Sequence, residues 1–155
     1  MSKFAEWLRS LNKPKVPKHY TIALGMLGLA EIVGPRHNEK IVEMFSKVGH
    51  SWVKDDETAW CAAFVGWALE ESGVTSTRKL NARSYIDWGK NVEPTRAKVG
   101  DVIVFPRGTG RQGHVGFVSK VLPKNRVEVL SGNQSNKVTL KEYTLSQALA
   151  VRRMT

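Results

Sequence analysis

The feature that most constrains this 155-residue chain is a change of period at Gly100. Before it, apolar residues recur at helical spacing. After it come short β-rich runs, Asp101–Phe105, His114–Val121 and Arg126–Leu130, separated by turns containing Gly and Pro. Helices first and strands later argue for an α+β fold, N-terminal helices packed on a C-terminal antiparallel sheet, over a parallel α/β arrangement. Phe4, Trp7, Leu8 and Leu11 mark a short amphipathic helix over 3–12, and 13–18 is a basic, Pro-containing linker. A second helix is predicted from Tyr20 to Val33, stopping at Gly34-Pro35. A third begins at Asn38 as N-cap and turns Ile41, Val42, Met44 and Phe45 inward. A fourth carries the apolar run from Trp60 to Leu69 and ends near Ser72-Gly73, and 82–88 reads as one more short helix.

Length predicts a single domain, with residues 1–18 as helix and linker and 19–155 as the core. With 41% hydrophobic and 25% charged residues the chain is expected to be globular. The single cysteine excludes an internal disulfide framework and argues against a thiolate zinc site, and no metal or cofactor is expected. The stretch from Tyr20 to Val33 is too short for a bilayer span, and residues 1–12 lack the apolar core of a secretory signal, so a chain made in the cytoplasm is expected. The net charge of +10 sits in the first and last thirds, while 55–100 is slightly acidic. This favours a polyanionic partner: nucleic acid, an anionic membrane face or a cell envelope. No zinc-knuckle spacing or RNA-binding signature is present, so nucleic acid is not expected.

The one cysteine, Cys61, heads the fourth helix, where unpaired N–H groups and the macrodipole favour a thiolate. Its alternative is a small buried hydrophobe. If the turn at Leu122–Asn125 is centred between Pro123 and Lys124, His114 stands opposite Asn133, with Cβ atoms about 4.5–5.5 Å apart. A bulge, or a turn centred one residue later, breaks that pairing. Cysteine, histidine and amide are the parts of a thiol acyl-transfer site. Cys61 is the candidate nucleophile, His114 the base that holds the thiol as an ion pair, and Asn133 the group that fixes the imidazole tautomer. An activated Cys61 is expected to alkylate rapidly below pH 7. His114 between two glycines and Asn133 in a turn-like Ser131–Gln134 also have purely structural readings.

Asp56–Val65, Gly100–Phe105, Gly113–Val118 and Gly132-Asn133-Gln134 resemble the successive motifs of CHAP and NlpC/P60-type peptidoglycan hydrolases, in particular single-domain bacteriophage and prophage forms. The resemblance runs from about Tyr20 to Arg153. It implies a papain-like fold, a cysteine peptidoglycan amidase or endopeptidase, and catalytic roles for Cys61, His114 and, at the third position, Asn133. Many relatives carry Glu or Gln two residues before that Asn, where this chain has Ser131, and this departure favours Asn133 as the imidazole partner. Asp55 stands where papain-like enzymes often place an oxyanion Gln, and it is a poor donor when ionised. Asp55, Asp56 and Glu57 are adjacent rather than spaced for calcium, so helix capping is the better reading of them. Trp52, Trp60 and Trp88 read as core or cleft wall, and Trp60, Trp52 and His50 are the candidate substrate contacts; His19 and His37 are expected to be solvated.

The expected role is a monomeric phage endolysin that is held in the host bacterial cytoplasm until another protein permeabilises the membrane. It would then act on the wall in the periplasm, with affinity for it from the cleft and the positive charge; the 3–12 helix is expected to pack onto the domain, with contact to the anionic envelope as a further hypothesis. Two alternatives remain: a basic envelope- or nucleic-acid-binding module with a structural Cys/His pair, and an interbacterial amidase toxin of the same fold. The sequence does not choose among the wall's amide bonds.

Overall fold

A computed structural model describes residues 2–11, 15–32, 35–55 and 59–154. Four α-helices come first: α1 (Lys3–Leu11), α2 (Lys18–Leu24), α3 (Glu39–Lys47) and α4 (Cys61–Glu71). Six strands follow, β1 (Lys90–Asn91), β2 (Val102–Pro106), β3 (Gly113–Leu122), β4 (Arg126–Gln134), β5 (Lys137–Thr144) and β6 (Ala150–Arg153). They form one antiparallel sheet in the order β1-β6-β2-β3-β4-β5. The predicted helices-then-strands division is present, and 82–87 is a 3₁₀ rather than an α-helix.

Helix α4 shows why the layers stack as they do. Cys61 through Leu69 are all buried, so the helix has no solvent face. A helix apolar on every side must be covered on every side. Here α2 and α3 cover one side and strands β3 and β4 the other. Gly132 permits the close approach: a Cβ there would lie 2.5 Å from Cζ3 of Trp60 and 3.1 Å from Cβ of Phe64. Along β2, Val102 and Val104 join this helical core, while Ile103 and Phe105 join a second core on the opposite face. There Val118, Val127, Val129, Leu145 and Val151 meet Tyr143 and the segments around Ala97 and Ala148.

Asn38 caps α3, its Oδ1 accepting from the Lys40 N–H at 2.9 Å, and Ile41, Met44 and Phe45 are buried as expected while Val42 is half-buried. The second helix is shorter than predicted. It ends at Leu24, the chain turns through Gly28 at φ +92°, and residues 28–31 bond to the edge of β5 through Val138 and Asn136. Apolar residues that continue a helical pattern are here drawn off by unpaired strand groups. The predicted stop lies outside the described residues at Gly34. In α1, Phe4 and Trp7 stack at 6.0 Å and are largely exposed, and the Leu8 and Leu11 side chains lie outside the described set.

The β3–β4 hairpin departs from its predicted register twice. Leu122 pairs with Arg126, so the turn is centred on Lys124, one residue later than expected. A bulge between Val118 and Lys120 then takes up the extra residue, and Phe117 pairs with Leu130 in the expected alignment. The two departures cancel, so that Phe117–Leu130 and Val118–Val129 keep the predicted pairing.

Candidate active site

The thiol of Cys61 is 4% exposed at the first residue of α4. The N-cap, Trp60, contributes no side-chain hydrogen bond to the helix start, and of Asp55, Asp56 and Glu57, expected to cap it, the last two lie outside the described residues. The backbone N–H of Val115 points at the sulfur, as do those of Ala62 and Cys61 itself. The nucleophile candidate therefore abuts β3 one residue from His114. Burial pushes the Cys61 thiol up from its ordinary value, against the opposing pull of the Val115 N–H, the Arg107 charge and the helix-start N–H groups.

His114 is 1% exposed and shares its sheet face with Phe105, its opposed residue in β2. Its Nε2 lies 3.0 Å from Oε1 of Gln134. That oxygen also accepts from the Tyr143 hydroxyl at 2.9 Å, while the Gln134 amide nitrogen donates to the Thr139 carbonyl at 2.8 Å and to its Oγ1 at 3.1 Å. With the amide oriented by these partners, Nε2 of His114 must carry the proton. Nδ1 then presents a lone pair, and it is buried with no hydrogen-bond partner. The Tyr143 ring stacks on His114 at 5.8 Å and on Phe105 at 4.7 Å, fixing the imidazole plane.

Burial drives the His114 pKa down to about 4, helped by the positive charges of Arg107 and Lys141 and opposed by the Gln134 bond. A raised thiol and a depressed imidazole give a neutral resting pair, not the ion pair expected from the helix position. Desolvation outweighs the helix-start N–H groups here because the sulfur is sealed under β3. Both shifts run against rapid alkylation of Cys61 below pH 7, and alkylation kinetics across that range test the expectation.

The imidazole partner is Gln134 and not Asn133. Asn133 has φ +58° and sits in the irregularity between Ser131 and Gln134 of the β4–β5 ladder. A left-handed residue breaks the alternation of a strand, so the next side chain occupies the face that Asn133 would have had. The Asn133 carbonyl instead accepts from Nη2 of Arg107 at 3.3 Å. Ser131 is fully buried and braces the site differently, donating to the Val115 carbonyl at 2.6 Å.

The proposed substrate contacts lie elsewhere. Trp60 is 0% exposed, held under Gly132 with its Nε1 donating to Glu31 at 3.2 Å, so it is core. Trp52 is 69% exposed, but it bonds His50, which bonds the Arg78 carbonyl, and Arg78 pairs with Glu70. That places His50 and Trp52 at the far end of α4, about 14 Å along the helix from Cys61. Sequence reasoning missed three residues that the structure brings in: Gln134, Tyr143 and Arg107. Alternation of Thr139, Lys141 and Tyr143 along a β-rich run was the available signal for Tyr143. No group of three or more His, Cys, Asp or Glu suited to a metal is present among the described residues.

A solved structure from Staphylococcus aureus, described as similar to a lipoprotein of the NLP/P60 family, superposes with a TM-score of 0.53 at 16% identity. The match covers 93% of this chain and 45% of that one, so this chain spans under half of its length. At that identity the likeness is one of fold, and the fold is α+β of NlpC/P60 type, with helices packed on a six-stranded antiparallel sheet. No curated protein matches the sequence. The CHAP domain model matches residues 53–133, which include Cys61, His114 and Asn133 and stop one residue short of Gln134. That span is more than half of the chain, and the chain belongs to the CHAP domain family.

Proposed function

We propose that the protein is a cysteine-dependent peptidoglycan hydrolase that cuts an amide bond of the bacterial wall with Cys61 and His114. Membership of the CHAP family points to cell-wall amidase or peptidase chemistry. The observation that carries the residue-level reading is the orphaned Nδ1 of His114. A fully buried ring nitrogen without a partner is costly unless its partner is a reacting group. Here the other ring nitrogen is fixed by Gln134, and a thiol stands at the adjacent residue of the strand.

From a neutral pair, His114 Nδ1 takes the Cys61 proton as Sγ attacks the amide carbonyl carbon. The N–H groups of Cys61 and Ala62 at the start of α4 hold the oxyanion, a role that does not need a Gln at position 55. The imidazolium, stabilised by the Gln134 carbonyl and the face of Tyr143, returns the proton to the leaving amine. Water activated by the neutral imidazole then releases the acyl group from sulfur. Arg107 favours the thiolate and opposes the imidazolium.

In this reading the protein is a phage-type lytic enzyme that reaches the wall after a membrane lesion. Cys61→Ala is expected to lower the clearing of outer-membrane-permeabilised cells by at least about a thousandfold while the protein stays folded. Retained lysis by the folded variant overturns the mechanism. Mass spectrometry of the muropeptides released by the wild type identifies the bond, either the muramoyl–alanine amide or a stem-peptide amide.

A further inference from the structure

A cleft of the described surface opens away from Cys61. A space of about 680 Å³ opens at the other end of β3, between the segment 15–19, the turn 97–101 and the ends of β3 and β6. Six residues separate His114 from Lys120, so the Lys120 side of the cleft lies about 20 Å along β3 from His114. Its volume falls in the usual range of about 300–1,000 Å³ for small-ligand sites.

Apolar surface dominates the walls, contributed by Pro17, Trp88, Val99 and Met154. The Trp88 ring is held in place, with Nε1 donating to the Thr75 carbonyl at 2.9 Å and Tyr85 against its edge at 6.0 Å. Gly100, at φ +87°, keeps the floor open: a Cβ there would lie 2.6 Å from Pro17. His19 is tied to the Gly100 carbonyl at 2.7 Å, so the segment 15–19 is fixed against the turn. The cleft is therefore preformed.

Its charge is one-sided. Among the described residues the only carboxylate in the lining, Asp101, is buried and engaged, bonded to Arg153 at 2.7 and 2.8 Å and to the Lys98 N–H at 2.8 Å. Lys15, Lys98 and Lys120 surround the opening and form no ion pair with any described carboxylate. Glu128, opposite Lys120 in the ladder, accepts instead from Ser119. Three unneutralised ammonium groups around a fixed indole select a ligand with both an anionic group and a flat apolar face.

We propose that this cleft is a second, non-catalytic subsite for an acidic glycan, a pyranose ring packing on Trp88 and Met154 while its carboxylate is held by Lys15, Lys98 and Lys120. The choice of a wall glycan rests on the hydrolase reading above; the cleft's preference for an acidic ring does not. Such a site gives a single-domain hydrolase a hold on its polymer at a distance from the bond it cuts. Binding in two places on one strand raises the effective concentration of the second contact.

The test uses the full chain carrying Cys61→Ala and, as probe, soluble peptide-free peptidoglycan glycan with its lactyl carboxylates intact. Shifts of ¹⁵N–¹H resonances are expected at the Trp88 indole, Val99, Lys120 and Met154. Affinity should fall at least tenfold when Lys98→Glu and Lys120→Glu are combined, and by a similar factor when the glycan carboxylates are reduced to alcohols. Both lysines are exposed, and the unperturbed part of the spectrum reports that the variant is folded. Shifts confined to the neighbourhood of residue 61 and His114, an affinity changed less than twofold by the charge reversals, or equal binding of the reduced glycan overturns the proposal. So does perturbation of the same residues by phosphatidylglycerol vesicles but not by glycan, which assigns the cleft to a lipid headgroup. Glycan binding here by a wild type that releases no muropeptide removes the hydrolase reading and leaves the subsite. Wall hydrolysis without binding here does the reverse.

Discussion

The two ends of the β3–β4 hairpin both rely on left-handed residues, and they use them differently. At the turn, Lys124 and Asn125 have φ +62° and +61° and simply reverse the chain, with Asn125 bonded to Ser146 in solvent. At the other end, the left-handed residue Asn133 decides which of two adjacent amides meets His114. The same backbone conformation is a connector in one place and an aiming device in the other. What separates them is burial: a slip at the exposed turn is absorbed by water, while a slip at the site leaves buried polar atoms without partners.

The largest expected effect probes the buried end through acid. His114 has a folded pKa of about 4 against an ordinary value of 6.5, so the unfolded state binds the extra proton first as pH falls. Its contribution to stability is fully present above about pH 6.5, declines as pH drops, and is exhausted near pH 4, amounting to about 3 kcal/mol. Urea unfolding from pH 7 to pH 4 should show this slope, and His114→Gln should remove it. An unchanged slope in the variant would place the titration elsewhere.

Next in size, Gly132→Ala drives a methyl into Trp60 and should destabilise by roughly 1–3 kcal/mol, read as a lower urea midpoint. Asn125→Gly at the turn should cost about 1 kcal/mol or less, since glycine adopts the same φ without strain and water replaces the lost partner. Gln134→Leu leaves His114 Nε2 and the Tyr143 hydroxyl unpaired. It should lower kcat on purified wall about tenfold or more with little change in KM, and Gln134→Glu should move the pH profile upward by stabilising the imidazolium. The smallest effect is assigned to Asn133→Gly, because glycine adopts its φ without strain and its carbonyl still receives Arg107. If Asn133→Gly cripples turnover and Gln134→Leu does not, the two amides have been assigned the wrong way round.

Much of this was visible before any coordinates. The change of period at Gly100, the Asn38 cap and the end of α4 at Ser72-Gly73 all follow from local chemistry acting within a few residues. So does Cys61 at the head of its helix. The hairpin alignment came out as expected through two errors that cancelled, a turn one residue late and a compensating bulge. Gln134 was hidden because nothing in Ser131–Gln134 announces a left-handed residue at Asn133; that conformation is set by how β4 meets β5. The length of α2 was hidden for a related reason, since the competing partner of residues 28–31 is a strand more than a hundred residues away. The depressed His114 was unreadable too, because desolvation depends on what covers a residue, and Tyr143 and Arg107 arrive from other strands and loops.

The segment 28–31 also bears on how the protein behaves when crowded. A sheet's outermost strands offer unpaired backbone groups to any other chain, and β5 is such a strand. Gly28 and Glu31 donate to the carbonyls of Val138 and Asn136, and the Val138 N–H is taken by Leu29, so the start of that edge is already occupied. The remainder presents Lys141 and Glu142, charges that resist strand addition. At the opposite margin, β1 is only two residues long. Both margins are thus poor templates for another strand, a safeguard against edge-to-edge growth into larger sheets.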